Sequence, residues 1–272
     1  MDTLRAEWKK CILFREVYAA LGLAAVITLW QGLPAVGRPE EFWINLYNFN
    51  FNVAPVLILF HQTAGLSRLF CGERAGRTAP LLRTGRFGLA RAFWNKLTLG
   101  LGYAAVTSLL PGLLMFCLGV LGCGGVPAAP EGIGGISRIP GWEGMDELTQ
   151  WGWEMLFSLL GGLCGAGLVL LVSVLACRPV SAMMGATFCL AFPAALRVGT
   201  VLFLSRFPVS DGLVILLDVL YRLCGWSWLG ILTYELLEKG GGALWMPALY
   251  CLCLLAAELA LAWLAWKRRE RR

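Results

Sequence analysis

Six apolar runs separated by short polar stretches set the pattern of this chain. A hydrocarbon core of ~30 Å takes about 20 residues of helix to cross. The runs at 17–36, 51–70, 97–121, 154–176, 180–204 and 243–266 meet that length and predict six membrane-spanning helices. Ahead of them, residues 1–16 read as an amphipathic interfacial helix. Leu4, Trp8, Cys11 and Ile12 recur at three- and four-residue spacing, while Arg5, Lys9 and Lys10 face elsewhere. Residues 37–50 predict a turn with interfacial Trp43 and Tyr47, and 122–153 a Gly/Pro-rich loop with Glu131, Glu143, Asp146 and Glu147. The stretch 205–242 carries Asp211, Asp218, Arg222, Glu235, Glu238 and Lys239 among apolar runs too short to cross twice. It predicts re-entrant or surface-lying helices. The expected fold is therefore an all-α integral membrane protein forming one transmembrane domain.

Charge supplies the orientation. Of the 272 residues, 58% are hydrophobic and 15% charged, where a soluble chain carries about a quarter charged. Placing the N-terminus, residues 66–96, Arg178 and the C-terminal KRRERR on one side gathers 17 of the 23 Lys and Arg there. That asymmetry marks the cytoplasmic side and puts both termini in the cytoplasm. The basic residues sit beside apolar spans with no aromatic-interleaved groove, which argues against a nucleic-acid partner. Trp142, Trp151, Trp153, Trp226 and Trp228 suit an outer aromatic belt. MDTLRAEWKK lacks the apolar core of a signal peptide, so the first span is expected to be its own uncleaved signal.

The ten cysteines form no disulfide framework: Cys117, Cys164, Cys177, Cys189, Cys251 and Cys253 lie in or beside apolar spans as small hydrophobes. Cys251 and Cys253, two apart, point to different helix faces and make a poor metal pair. Cys123 and Cys224 both fall outside the cytoplasm in this topology, and a bridge between them stays an open alternative. No HExxH or GxSxG occurs, and one histidine cannot supply a two-His zinc site, so an enzyme is disfavoured. Three ionisable groups fall within the spans: His61, Glu258 and Arg197. At ~1.5 Å per residue, His61 and Glu258 both lie roughly 10–14 Å from the cytoplasmic side, a depth at which they can pair. Such residues are candidates for function, while a structural polar contact is the plainer alternative. Arg197 can snorkel to the outer interface or meet Asp218, with substrate contact as the alternative.

The segment 66–96 is the most distinctive. LSRLFCGERAGRTAPLLRTGRFGLARAFWNK carries Arg68, Arg74, Arg77, Arg83, Arg86, Arg91 and Lys96 against one acid, Glu73. By composition it suits an anchor for anionic lipid headgroups. By order of residue types it resembles the loop between the second and third spans of permease subunits in ABC-2 type (type V exporter-like) ABC transporters. Glu73, Thr78, Leu81, Leu82, Thr84, Arg86 and Lys96 match that order. Two departures occur: Arg77 separates Gly76 from Thr78, and Gly85 stands where proline is usual.

The resemblance implies a permease subunit without an ATPase of its own, in agreement with the lack of a GxxxxGK[ST] phosphate loop. It implies a coupling helix in 71–96, with Glu73 as pivot and Arg74, Arg77, Thr78, Leu81, Leu82 and Arg86 as contact residues. The tight turn at Arg178 would be a second contact. The implied partners are an ABC ATPase subunit holding ATP and magnesium, a second permease in a homo- or heterodimer, and membrane lipid. The implied setting is the bacterial cytoplasmic membrane, and the implied task is export of an amphiphile such as a peptide antibiotic, drug or lipid-like molecule. Two alternatives from other classes are an ATP-independent secondary transporter working through His61 and Glu258, and a non-transporting scaffold or sensor. Against the first, no internal repeat relates residues 1–121 to 154–266.

Overall fold

The computed structural model describes residues 15–33, 37–72, 88–128, 146–204, 212 and 245–270, with side chains at all of these except 40, 51, 88, 89, 193–204 and 270. Expectations that fall on 1–14, 73–87, 129–145, 205–211 and 213–244 lie outside the described residues. The described residues form seven α-helices, one π-helical turn and no strand. They are α1 (Arg15–Gly32), α2 (Pro39–Asn48), α3 (Ala54–Leu66), α4 (Gly88–Cys123), α5 (Glu147–Leu175), α6 (Pro179–Leu204) and α7 (Trp245–Glu270), with the π turn at Phe49–Val53.

Three helices are long and apolar enough to cross a membrane: Ala90–Cys123 within α4, Glu147–Leu175 and Trp245–Arg269. α3 has 13 residues, about 20 Å of helix, and needs the π turn before it and the turns after it to span. α1 has 18 residues, with Arg15 and Glu16 in its first turn. In α6 the apolar stretch with described side chains is Pro179–Phe192.

The turn expected at 37–50 is instead mostly helical. Pro39 opens α2, where its missing N–H costs nothing. Arg38 bonds Glu41 at 3.1 Å across the first turn. Phe42, Trp43, Leu46 and Phe49 fall on one face and are buried against α4, Ile27 of α1 and Trp151 of α5. Pro55 then interrupts the ladder. It has no N–H to give the carbonyl of residue 51, and the chain passes through the π turn before resuming as α3.

α4 ends where Gly124 takes φ +74° and Gly125 N–H bonds Val120 O at 3.0 Å, a glycine-terminated cap that other residues adopt only with strain. α5 begins at Asp146, whose carboxylate accepts from Thr149 N (3.1 Å) and Thr149 Oγ1 (2.6 Å). These are N-cap bonds that hold its carboxyl below the usual carboxylate range.

α5 is the hub. It packs against α3, α4, α6 and α7, and 67% of its most apolar window is buried, against 39% for α4 and 17% for α7. Gly162 and Gly167 let neighbours come close. A Cβ at Gly162 would collide with Ser108 Oγ and lie 3.2 Å from Gln62 Nε2, and one at Gly167 would collide with the Glu258 carboxylate. Two buried clusters result. One joins Leu66, Phe70, Phe93, Leu170, Val174 and Trp266 at the end bearing Lys96, Arg178 and Arg269. The other joins Phe42, Trp43, Phe49, Leu57 and Met115 towards the opposite end.

Candidate functional site

Glu73, Arg74, Arg77, Thr78, Leu81, Leu82 and Arg86 lie outside the described residues, but both edges of their segment are described. On one edge the chain leaves α3 through Ser67–Gly72, with Gly72 N–H bonding Arg68 O at 2.9 Å. Phe70 is fully buried, and its amide donates to Ser173 Oγ of α5 at 3.1 Å. On the other edge lies Lys96 of α4, 1% exposed, whose Nζ donates to Leu69 O at 2.9 Å and sits 5.7 Å from the centre of the Phe70 ring. A lysine at the mouth of a span ordinarily reaches for water. This one turns inward, because the last carbonyls of the α3 segment need donors and carry the negative end of the helix dipole.

The same end receives two further ties. Arg68 pairs with Glu16 of α1 at 2.7 Å. Arg269 of α7 donates to Val174 O (2.6 Å), Leu175 O and Ala176 O (3.3 Å), closing the C-terminus of α5. Arg178 comes directly after, exposed in the turn to α6, with its carbonyl accepting from Ser181 Oγ and Ala182 N. The residues flanking 73–87 and the Arg178 turn thus share one platform built by α1, α3, α4, α5 and α7. Sequence reading placed Lys96, Arg178 and, within KRRERR, Arg269 on this side, but gave no role to Ser173, no contact of Arg269 with the end of α5 and no inward turn of Lys96. The only sequence signal for the last was a lysine set among Phe93, Trp94 and Leu97.

The proposed meeting of His61 and Glu258 does not occur. His61 is fully buried, and neither ring nitrogen has a hydrogen-bond partner; its backbone carbonyl accepts from Tyr103 Oη at 3.3 Å. Glu258 Oε2 also lacks a partner and lies over Gly167. α5 packs against both of their helices, α3 and α7, with Gln62 beside Gly162 and Glu258 beside Gly167. Arg197 belongs to α6, and its side chain is outside those described.

Two residues not singled out in the sequence do meet. Asn50, carried by the π turn and 4% exposed, donates from Nδ2 to Glu154 Oε2 at 3.1 Å. The sequence pattern started a span at Glu154. α5 in fact starts seven residues earlier at Glu147, which sets Glu154 about 10 Å along the helix. The detectable signal was an acid directly heading an uncharged run of more than twenty residues.

Cys251 is buried and Cys253 exposed, as their spacing implies, and Cys164 Sγ donates to Cys251 O at 3.3 Å. Cys224 lies outside the described residues. Among the described residues no group of three or more His, Cys, Asp or Glu is placed to hold a metal ion. No protein-family model matches the chain, and no curated protein matches it in sequence.

Proposed function

We propose that this chain is the membrane-spanning permease subunit of an ATP-driven transporter of the ABC-2 type, exporting an amphiphilic molecule. The observation that carries the proposal is the platform at the basic end. The segment resembling a coupling loop and the turn resembling its second contact depart from one set of buried ties, so a push on either reaches α3, α4, α5 and α7 together. A solvated lipid anchor has no need of a lysine buried to 1% exposure at its root.

In this reading the basic end faces the cytoplasm of a bacterial cell membrane. Glu73 pivots the loop, Arg74, Arg77, Thr78, Leu81, Leu82 and Arg86 key into an ATPase subunit, and Arg178 makes the smaller contact. The ATPase holds ATP and magnesium, while this chain supplies levers. α4 has 36 residues, about 54 Å, and therefore overhangs a ~30 Å hydrocarbon core. Pairing with a second permease, identical or related, encloses the transport path. The secondary-transporter alternative loses its simplest support, because His61 and Glu258 do not meet.

The test is affinity purification of the tagged chain from its host in mild detergent, with partner identification and ATP hydrolysis, beside Glu73→Lys. Co-purification of an ABC ATPase, with hydrolysis uncoupled in the variant while insertion is normal, supports the proposal. Absence of any ATPase across detergents and crosslinkers defeats it.

A further inference from the structure

At the end of the bundle opposite the platform, the carboxylate of Glu154 meets the side-chain amide of Asn50, with no ion pair to a cation among the described residues. Asn50 Nδ2 donates to its Oε2 at 3.1 Å, and Gln150 lies one turn earlier on α5. The salt bridges Arg38–Glu41 and Arg68–Glu16 lie elsewhere. The amide oxygen of Asn50 is buried and has no hydrogen-bond partner. It lies close to Gly112, where an added Cβ would be 3.1 Å from Asn50 Oδ1 and would collide with the Met155 side chain that packs there.

Leaving a charge and a buried carbonyl oxygen uncompensated is costly in a membrane. Here the chain departs from an α-ladder to bring Asn50 to this place, and π turns of this kind recur at functional positions. Aromatic surface adjoins. Trp151, three residues before Glu154 on the same face of α5, stacks on Phe116 with centroids 4.2 Å apart and planes 16° apart.

We propose that Asn50 and Glu154 form a binding site for the ammonium group of a cationic amphiphile. The carboxylate supplies the counter-charge, and Asn50 Oδ1 accepts an N–H. The Phe116–Trp151 surface receives the adjoining apolar part and the diffuse positive charge. The proposal names the substrate class of the exporter reading and rests on it, but binding is a property of this chain alone.

The test is equilibrium dialysis of radiolabelled n-octylammonium against the full purified chain in lipid nanodiscs without any ATPase, with empty nanodiscs subtracted. Saturable binding to one site per chain is expected, displaced by unlabelled octylammonium but not by n-octanol or potassium chloride. Loss of a charge-assisted bond predicts that Glu154→Gln weakens binding by about tenfold or more, while Glu258→Gln, which removes another buried carboxylate, leaves it unchanged. Absence of saturable binding, equal displacement by octanol, displacement by potassium (an inorganic-cation site), or wild-type affinity in Glu154→Gln each overturns the proposal. So does an equal loss in Glu258→Gln. The octanol comparison uses the wild-type chain and does not depend on a variant folding. A missing ATPase in the purification leaves this assay readable, and failure here leaves the coupling test standing.

Discussion

Replacing Lys96 tests whether the root of the basic loop is held from inside the bundle. Lys96→Met keeps most of the side-chain volume and removes the ammonium. The Leu69 carbonyl, now accepting at 2.9 Å, stays buried at a helix end and loses its donor, a penalty of ~1–3 kcal/mol. Loss of the cation from near the Phe70 ring adds roughly 0.5–2 kcal/mol. Relief from burying a charge offsets part of this, but the carbonyl's own dipole survives the substitution, so the net remains a loss of ~1–3 kcal/mol. Lys96→Ala also removes three buried methylenes at ~0.8 kcal/mol each, taking the total to about 3–5 kcal/mol. The difference between the variants reads the stem, and the methionine value reads the anchor. Equilibrium unfolding in mixed mild-detergent and dodecyl sulfate micelles, followed by tryptophan emission, measures both. Hydrogen exchange at residues 69–72 should quicken in each variant. A methionine variant within ~0.5 kcal/mol of the parent, with unchanged exchange at 69–72, refutes the anchor.

The packing of α5 and its cap set two further outcomes. Gly162→Ala drives a methyl into Ser108 and breaks the 3.2 Å Gln62–Ser108 hydrogen bond, costing ~1–3 kcal/mol, whereas Gly102→Ala meets nothing within 4 Å and gains up to ~1 kcal/mol of helix propensity. The same unfolding assay ranks them, and a reversed order contradicts the close approach of α4 to α5. The N-cap of α5 should depend on pH. Bonds from Thr149 lower the carboxyl of Asp146 below its ordinary value, so its stabilisation is present above that ordinary value and is lost as pH falls through the lowered one. Exchange at the first-turn amides of α5, corrected for intrinsic rate, should rise on acidification in the parent and stay level in Asp146→Asn; a parallel rise in both contradicts the carboxylate cap.

Hydropathy made the helices visible and left their azimuths hidden. Runs near 97–121, 154–176 and 243–266 became α4, α5 and α7 because an uncharged stretch of that length has few other ways to satisfy its backbone in a bilayer. The same reading missed α2, since Gly37 and Pro39 carry turn signals, and only the tertiary burial of Phe42, Trp43 and Leu46 makes Pro39 a helix start instead. It allowed His61 and Glu258 to pair, and no hydrogen bond joins them. Rise per residue gives depth, whereas which face meets which neighbour depends on packing, and α5 contacts both of their helices. Asn50 was hidden for a related reason. The extra residue of a π turn rotates the helix beyond it, so helical spacing counted through Pro55 fails on one side of it.

The chemistry and the ties divide along the hub helix in a way that constrains any motion. At the basic end, α5 is held by Ser173 to Phe70 and through its terminal carbonyls to Arg269, while Lys96 holds α4 to the same turn. Midway, glycines bring Ser108, Gln62 and Glu258 directly onto it. Interfaces packed this closely move between discrete arrangements more readily than they deform. On the proposed function, a force applied through residues 73–87 would reach α3, α4, α5 and α7 together at the basic end. Beyond lies the π turn, where the ladder is interrupted and one hydrogen bond links Asn50 to Glu154. On the same reading that turn carries part of the proposed cation site, so displacement of the levers would act on the contact that holds the cargo. That arrangement separates a permease from a lipid anchor: the latter gives no reason for the basic loop and a polar pair at the far end of α5 to share one rigid element.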